Sequence, residues 1–170
     1  MNRIVILGTG HATVTRCYNT CFVLQTDTTT LLVDAGGGNG ILQRLKQAGI
    51  AIKDLHHMYV THAHTDHILG TIWVIRMVLS AAGYEGRFHV YSHAKVLRVI
   101  SMICGETLSA KHRRLMGERV VMHEVGDGTS FNVGDIGMQS FDIHSKKEPQ
   151  YGFRATLPGG AVVVCLGDEP

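Results

Sequence analysis

Six consecutive residues, His62-Ala63-His64-Thr65-Asp66-His67, constrain this chain more than any other feature. They follow a short apolar run, Met58 to Val60. They precede a nearly all-apolar segment, Ile68 to Ala82, which holds the only tryptophan, Trp73. That segment is too long for an ordinary strand and too short to span a bilayer, so it reads as a buried helix. A strand therefore delivers the chain into the hexapeptide and a helix carries it away. In extended backbone, alternate side chains share a side, so His62 and His64 can grip one ion together. With the helix starting near Asp66, Asp66 and His67 leave its first turn toward a neighbouring point. Imidazole and carboxylate are ligands that zinc accepts, so one short segment can serve two adjacent ions. A histidine-rich surface loop is the competing reading, and the apolar strand and helix on either side argue against it.

The remaining composition narrows the class. The 170 residues, with 45% hydrophobic content, suffice for one domain with a real core, spanning 1–170. Lys and Arg number 16 against 14 Asp and Glu, and that near-balance gives no concentrated basic surface for nucleic acid. Eleven histidines are the oddity, because imidazole is the commonest metal ligand and proton carrier near neutral pH. Cys17, Cys21, Cys104 and Cys165 form no CxxC pair, which argues against a cysteine-type zinc site and a disulfide scaffold. The opening MNRIVILGTG lacks the apolar core of a signal peptide. The expectation is a cytoplasmic protein without a membrane span.

Strand-like runs are Arg3 to Leu7, Thr20 to Gln25 and Thr30 to Val33, the latter two forming a hairpin, then Met58 to Val60 and Phe88 to Tyr91. Helical spacing runs from Asn39, through Ile41, Leu42, Leu45 and Ala48, to Gly49, and again from Ala94 to Ile103. After these the pattern turns β-rich: Arg119 to Val125, Ser130 to Val133, Ile136 to Ile143, Tyr151 to Leu157 and Ala161 to Leu166. Elements alternate early and strands dominate late, which predicts an α/β domain with helix-covered sheets. A buried-looking strand at Val162 to Leu166 and a loop from Gly167 to Pro170 close the chain, which reads as cut short at its C-terminal side.

HxHxDH after a strand resembles the signature of metallo-β-lactamase-fold hydrolases. Four weaker features, in order, are similar to the ribonuclease Z-like branch: Gly8-Thr9-Gly10, Asp34-Ala35-Gly36, His144 with Pro149 and Tyr151-Gly152, and Gly167-Asp168 after an apolar strand. The resemblance covers residues 3 to 168. It implies a four-layer αββα sandwich, C-terminally truncated, with two metal ions where the sheets meet. His62, His64 and His144 would hold the first metal, and Asp66, His67 and Asp168 the second, with Asp168 reaching both. The ions would be zinc, with manganese or iron as alternatives. A hydroxide between them would be the nucleophile, and Asp66 its orienting or proton-accepting carboxylate. Asp34 would brace a ligand imidazole or its loop, although an ordinary turn aspartate reads equally well from the local sequence.

Two departures matter. The family's further histidine for the second metal lies downstream of its bridging aspartate, and this sequence ends two residues after Asp168. Ribonuclease Z also grips tRNA with a long arm between the third histidine and the bridging aspartate. Here that interval, 145–167, is consumed by two strands and the Pro158-Gly159-Gly160 turn. The reading is therefore a phosphodiesterase for small or cyclic anionic substrates, not folded tRNA, forming a homodimer through apolar edges left uncovered. The rival readings are a hydrolase of a lactone, thioester, β-lactam or sulfate ester, and a non-catalytic metal-binding module.

Other signals are read as structural. Gly36 to Gly40 lacks the GK[ST] of a P-loop, and Gly8-Thr9-Gly10 lacks the third glycine of a dinucleotide fingerprint. His89, His93, His112 and His123 have no partners at ligand spacing, and only chance proximity to the metal loop recommends His56 and His57. His11 follows the Gly8–Gly10 turn that the resemblance puts near the site but reads on balance as structural, and Lys111 to Arg114 reads as a solvated helix face.

Overall fold

The computed structural model describes residues 1–168, so Glu169 and Pro170 of the closing loop lie outside the described residues. Two sheets carry the fold. The first has six strands in the order β1 (Arg3–Gly8), β2 (Cys21–Gln25), β3 (Thr30–Val33), β4 (His57–Tyr59), β5 (Phe88–Ser92) and β6 (Val120–Glu124). Its first three strands form an antiparallel meander and its last four run parallel. The second sheet is antiparallel, in the order β10 (Val162–Cys165), β9 (Tyr151–Thr156), β8 (Ile136–Asp142) and β7 (Ser130–Val133).

The parallel strands need crossovers, and the helices supply them. These are α1 (Gly40–Gln47), α2 (Thr65–Ser80), α3 (Ala94–Thr107) and α4 (Ala110–Leu115). Their apolar side chains, among them Ile41, Leu45, Val74, Val78, Val96 and Ile100, share one core with the first sheet. A second core between the sheets contains strand residues such as Leu24, Tyr59, Met138 and Phe153, with Val125 and Leu157 from the strand ends, and no helix residue. Three of the expected four layers, α, β and β, thus lie within the described residues. No helix of the structure is long and apolar enough to cross a membrane.

The elements depart from the sequence reading where composition conceals which face is covered. Helix α2 buries nine residues, yet Trp73 is 41% exposed and Met77 also reaches solvent. Strand β10 is an edge: Val163 and Cys165 pack inward while Val162 and Val164 face out. On β4, β5 and β6, three histidines that are far apart in sequence become neighbours. His57 pairs in register with His89 and stacks on it, and His89 Nδ1 lies 2.8 Å from His123 Nε2. Burial, then the charges of His89, His56 and His123, push His57 down to about 4. His57 and His89 lie at the N-terminal ends of β4 and β5, away from the end where Asp34 and His62 gather, and His123 reaches His89 from the C-terminal half of β6.

Candidate metal centre

The parallel strands β3 and β4 end side by side, and the turns that follow them carry the chemistry. Asp34 leaves β3 in the left-handed region, φ 53, which aspartate tolerates better than most residues. Its backbone N–H donates to the Tyr59 carbonyl, and the next N–H, of Ala35, donates to the His67 carbonyl. The turn is then clamped to α2 by Gly70, whose N–H donates to Gly36 at 2.8 Å. A Cβ on Gly70 would stand 1.8 Å from the Ala35 carbonyl oxygen, so only glycine allows this approach.

Held there, the Asp34 carboxylate organises the hexapeptide. One oxygen accepts from the Thr61 N–H at 2.8 Å. The other accepts from the Thr61 hydroxyl at 2.8 Å and from His67 Nδ1 at 2.8 Å. Thr61 Oγ1 in turn lies 2.9 Å from His62 Nδ1. Both histidines therefore have their Nδ1 side occupied, and each presents Nε2 to the same point. Such partners fix the tautomer and the ring orientation of metal-binding histidines.

The converging atoms are His62 Nε2, His67 Nε2 and Asp168 Oδ2, all within 4.8 Å of one another. His67 Nε2 is 2.9 Å from Asp168 Oδ2 and 3.5 Å from Asp66 Oδ2, and His62 Nε2 is 3.9 Å from Asp168 Oδ2. His64 adds Nδ1, 3.0 Å from His62 Nε2. Donors about 2.1 Å from a tetrahedral ion stand about 3.4 Å apart, and these spacings bracket that value. Nitrogen and carboxylate oxygen with braced rings are the donor set that zinc-like ions take, so the residues fit such an ion.

Charge in the site is unevenly shared. Burial, then the nearby His67 charge, pushes His62 down to about 4. Burial would depress His67 too, but the hydrogen bond and charge of Asp34, with the charges of Asp168 and Asp66, override it and hold the imidazolium up to about 9. A cation is thus favoured where His67 Nε2 stands, and a metal ion would take the place of that proton.

Asp168 arrives from the second sheet. It follows β10 and Gly167, φ 74, and its N–H donates to the buried Gln150 side chain at 3.3 Å. The structure thus gathers His62, His64, Asp66, His67 and Asp168. His144 stands apart: its side chain is 84% exposed, its φ is 56, and its Nδ1 lies 3.7 Å from Asp142 Oδ2. An open cleft of about 430 Å³ lies beside Asp66, with Asn19, Gly37, Thr65 and Leu69 in its wall. The sequence reading discounted His93, yet it directly follows β5, which lies next to β4, and is buried and stacked on Tyr151. Its position at the same sheet end as Asp34 and His62 was the available signal.

The chain is similar to known proteins in sequence and in fold. The family described as anti-Pycsar protein Apyc1 matches residues 2–162. An exodeoxyribonuclease YycJ of Bacillus anthracis is 31% identical over 74% of this chain and 42% of its own. A ribonuclease Z of Mycolicibacterium gilvum is 26% identical over 100% of this chain and 63% of its own. The crystal structure of the short form of human tRNase Z superposes with a TM-score of 0.78 at 18% identity, over 99% of this chain and 69% of that one. The chain spans about half the length of the curated relatives it matches.

Proposed function

This chain belongs to the anti-Pycsar protein Apyc1 family and has a metallo-β-lactamase fold of the ribonuclease Z-like kind, and on that footing we propose that it is a metal-dependent phosphodiesterase acting on small or cyclic phosphodiesters. The observation that carries the proposal is the convergence of His62 Nε2, His67 Nε2 and Asp168 Oδ2, with both rings braced through Asp34. Relatives named for ribonuclease and exodeoxyribonuclease activity support a phosphodiester as the bond cleaved.

His62 and His64 would hold one zinc-like ion, with His144 brought in as its third ligand, and Asp66, His67 and Asp168 would hold a second, Asp168 reaching both. Bound there, such ions supply a water acidic enough to ionise near neutral pH and positive charge against the phosphoryl oxygens. The chain's own residues do the rest. Asp66, buried at the first turn of α2, orients the attacking water and receives its proton. Asp34 keeps the His67 ring fixed while the charge beside it changes. A cleft of about 430 Å³ suits a small substrate. Between His144 and Asp168, β9, β10 and their tight turn leave no length for a tRNA-gripping arm.

Metal-loaded protein is expected to turn over a chromogenic phosphodiester. His62→Ala and His64→Ala are expected to lower both the bound metal, by elemental analysis, and the rate. Protein that stays metal-free after zinc loading, or a His62→Ala variant with parental metal content, would sink the reading.

Self-association follows from the edges. Strand β1 exposes Ile4 and Ile6, and β10 exposes Val162 and Val164, each at one side of its sheet. Unpaired strand edges with apolar side chains are templates for pairing with another chain. The 170-residue chain is expected to be a dimer by light scattering, and Val164→Lys to shift it toward monomer. A monodisperse wild-type monomer excludes this.

A further inference from the structure

Asp168 reaches the centre from the edge of a sheet. Strand β10 pairs with β9 alone and ends at Cys165, short of Asp168. The Asp168 side chain is 38% exposed, yet its Oδ2 stands 2.9 Å from His67 Nε2. Its backbone N–H donates to Gln150 Oε1 at 3.3 Å. Gln150, just before β9, is 1% exposed. Its carbonyl accepts from the Ile143 N–H at 3.2 Å. The next N–H, of Tyr151, donates at 3.0 Å to the carbonyl of Thr61, the residue before His62. Gly167, at φ 74, passes so close that a Cβ there would stand 2.9 Å from Gln150 Oε1 and 3.8 Å from Thr61 Cβ. Gln150 and Thr61 together bound the path of the loop that delivers Asp168.

We propose that Gln150 is a positioning residue for metal binding: its buried carboxamide oxygen fixes the backbone of Asp168 and so sets where that carboxylate stands against His62 and His67. The inference rests on the metal-site reading above. Burying a carboxamide is unfavourable unless it is hydrogen-bonded, and methionine would fill the same space without that penalty. What glutamine adds is an acceptor. Its partner is a backbone N–H, which can only donate, so the oxygen of the amide, not the nitrogen, faces the loop. A carboxylate beyond an edge strand loses freedom when it closes on an ion, and that loss weakens the grip. A loop already held by Gln150 has less to lose. The other two members of the cluster are held in the same manner, His62 by Thr61 and His67 by Asp34. Gln150 supplies the corresponding support to the third, and it does so from the backbone, leaving both carboxylate oxygens free of it.

The test uses the 170-residue chain with Gln150→Met, Gln150→Glu, Asp168→Ala and the Gln150→Met/Asp168→Ala double variant. Zinc affinity is read by competition with a chromogenic chelator. Hydrogen exchange of the Asp168 amide is read in metal-free protein. Gln150→Met is expected to weaken zinc binding about tenfold or more, the usual effect of removing a group that orients a ligand, and to quicken that exchange. Gln150→Glu, which keeps an acceptor, is expected to restore most of both. On top of Asp168→Ala, Gln150→Met is expected to change affinity less than about twofold, because the two act through one group. Unchanged affinity in Gln150→Met, where Asp168→Ala lowers it, overturns the proposal. A loss as large on the Asp168→Ala background as on the parent overturns it too. If Asp168→Ala itself changes nothing, the ligand role of Asp168 fails instead, and unchanged exchange in Gln150→Met then overturns the positioning role separately. Should Gln150→Met not fold, Gly167→Ala drives a Cβ into the same contact, and unchanged zinc affinity there has the same force.

Discussion

Asp34→Ala is expected to cost about 3–5 kcal/mol of stability and to abolish tight metal binding, although Asp34 itself holds no metal. One carboxylate satisfies the Thr61 N–H, the Thr61 hydroxyl and His67 Nδ1, all of them buried. Alanine leaves these donors orphaned, one of them on an imidazole that the site holds charged. It also places a residue at φ 53 that lacks the polar side chain aspartate uses to tolerate that conformation. Asp34→Asn retains shape and an acceptor oxygen but not the charge, so it is expected to fall between the two. The ionic part of the effect has a sign in pH. The folded His67 value, about 9, lies above its ordinary 6.5. In metal-free protein the stabilisation is therefore complete below about 6.5 and fades as pH rises through about 9. Urea denaturation of both proteins at pH 7 and near pH 10 checks this. A difference under 1 kcal/mol at pH 7 would show that the carboxylate is not the keystone described.

Asp66→Asn is expected to reduce turnover of a phosphodiester a hundredfold or more while the fold survives, as loss of a positioned acid–base group usually does. Asp66 sits in the first turn of α2, where the helix dipole favours a negative side chain, and its Oδ2 lies 3.5 Å from His67 Nε2. Asparagine keeps the volume and one acceptor but cannot take a proton. The melting temperature should stay within a few degrees. Activity within a factor of three of the parent, at equal metal content, would remove Asp66 from the proton-transfer role.

The candidate centre was largely legible because most of its side chains are local in sequence. Alternation in extended chain brings His62 beside His64, and the helix start sets Asp66 and His67, so spacing alone places four side chains. Asp34 left two readings open, turn residue or brace, and the structure shows both at once, through its positive φ and its bond to His67. What the sequence hid depends on strand pairing. His89 and His123 are 34 residues apart and meet only because β5 lies against β6. His93 looked isolated because the ring it stacks on, Tyr151, comes from the other sheet. Trp73 was read as buried because an apolar run does not reveal which face another element covers. The valines of β10 were misread for the same reason, since an edge strand and a central one have the same composition.

The separation of His67 from Asp168, 101 residues along the chain for a 2.9 Å contact, also sets an order of events during synthesis. His62, His64, Asp66 and His67 leave the ribosome together, about three seconds after Asp34. At about 10 residues per second, Asp168 follows roughly ten seconds later. A nascent chain of that age already carries the braced imidazoles but lacks the carboxylate from the second sheet. If the centre takes an ion, such a chain would be a weaker chelator than one that includes Asp168. On the proposed reading the second sheet is therefore a timing element as well as a wall: the grip on an ion would tighten only once β9 and β10 have closed over the first sheet.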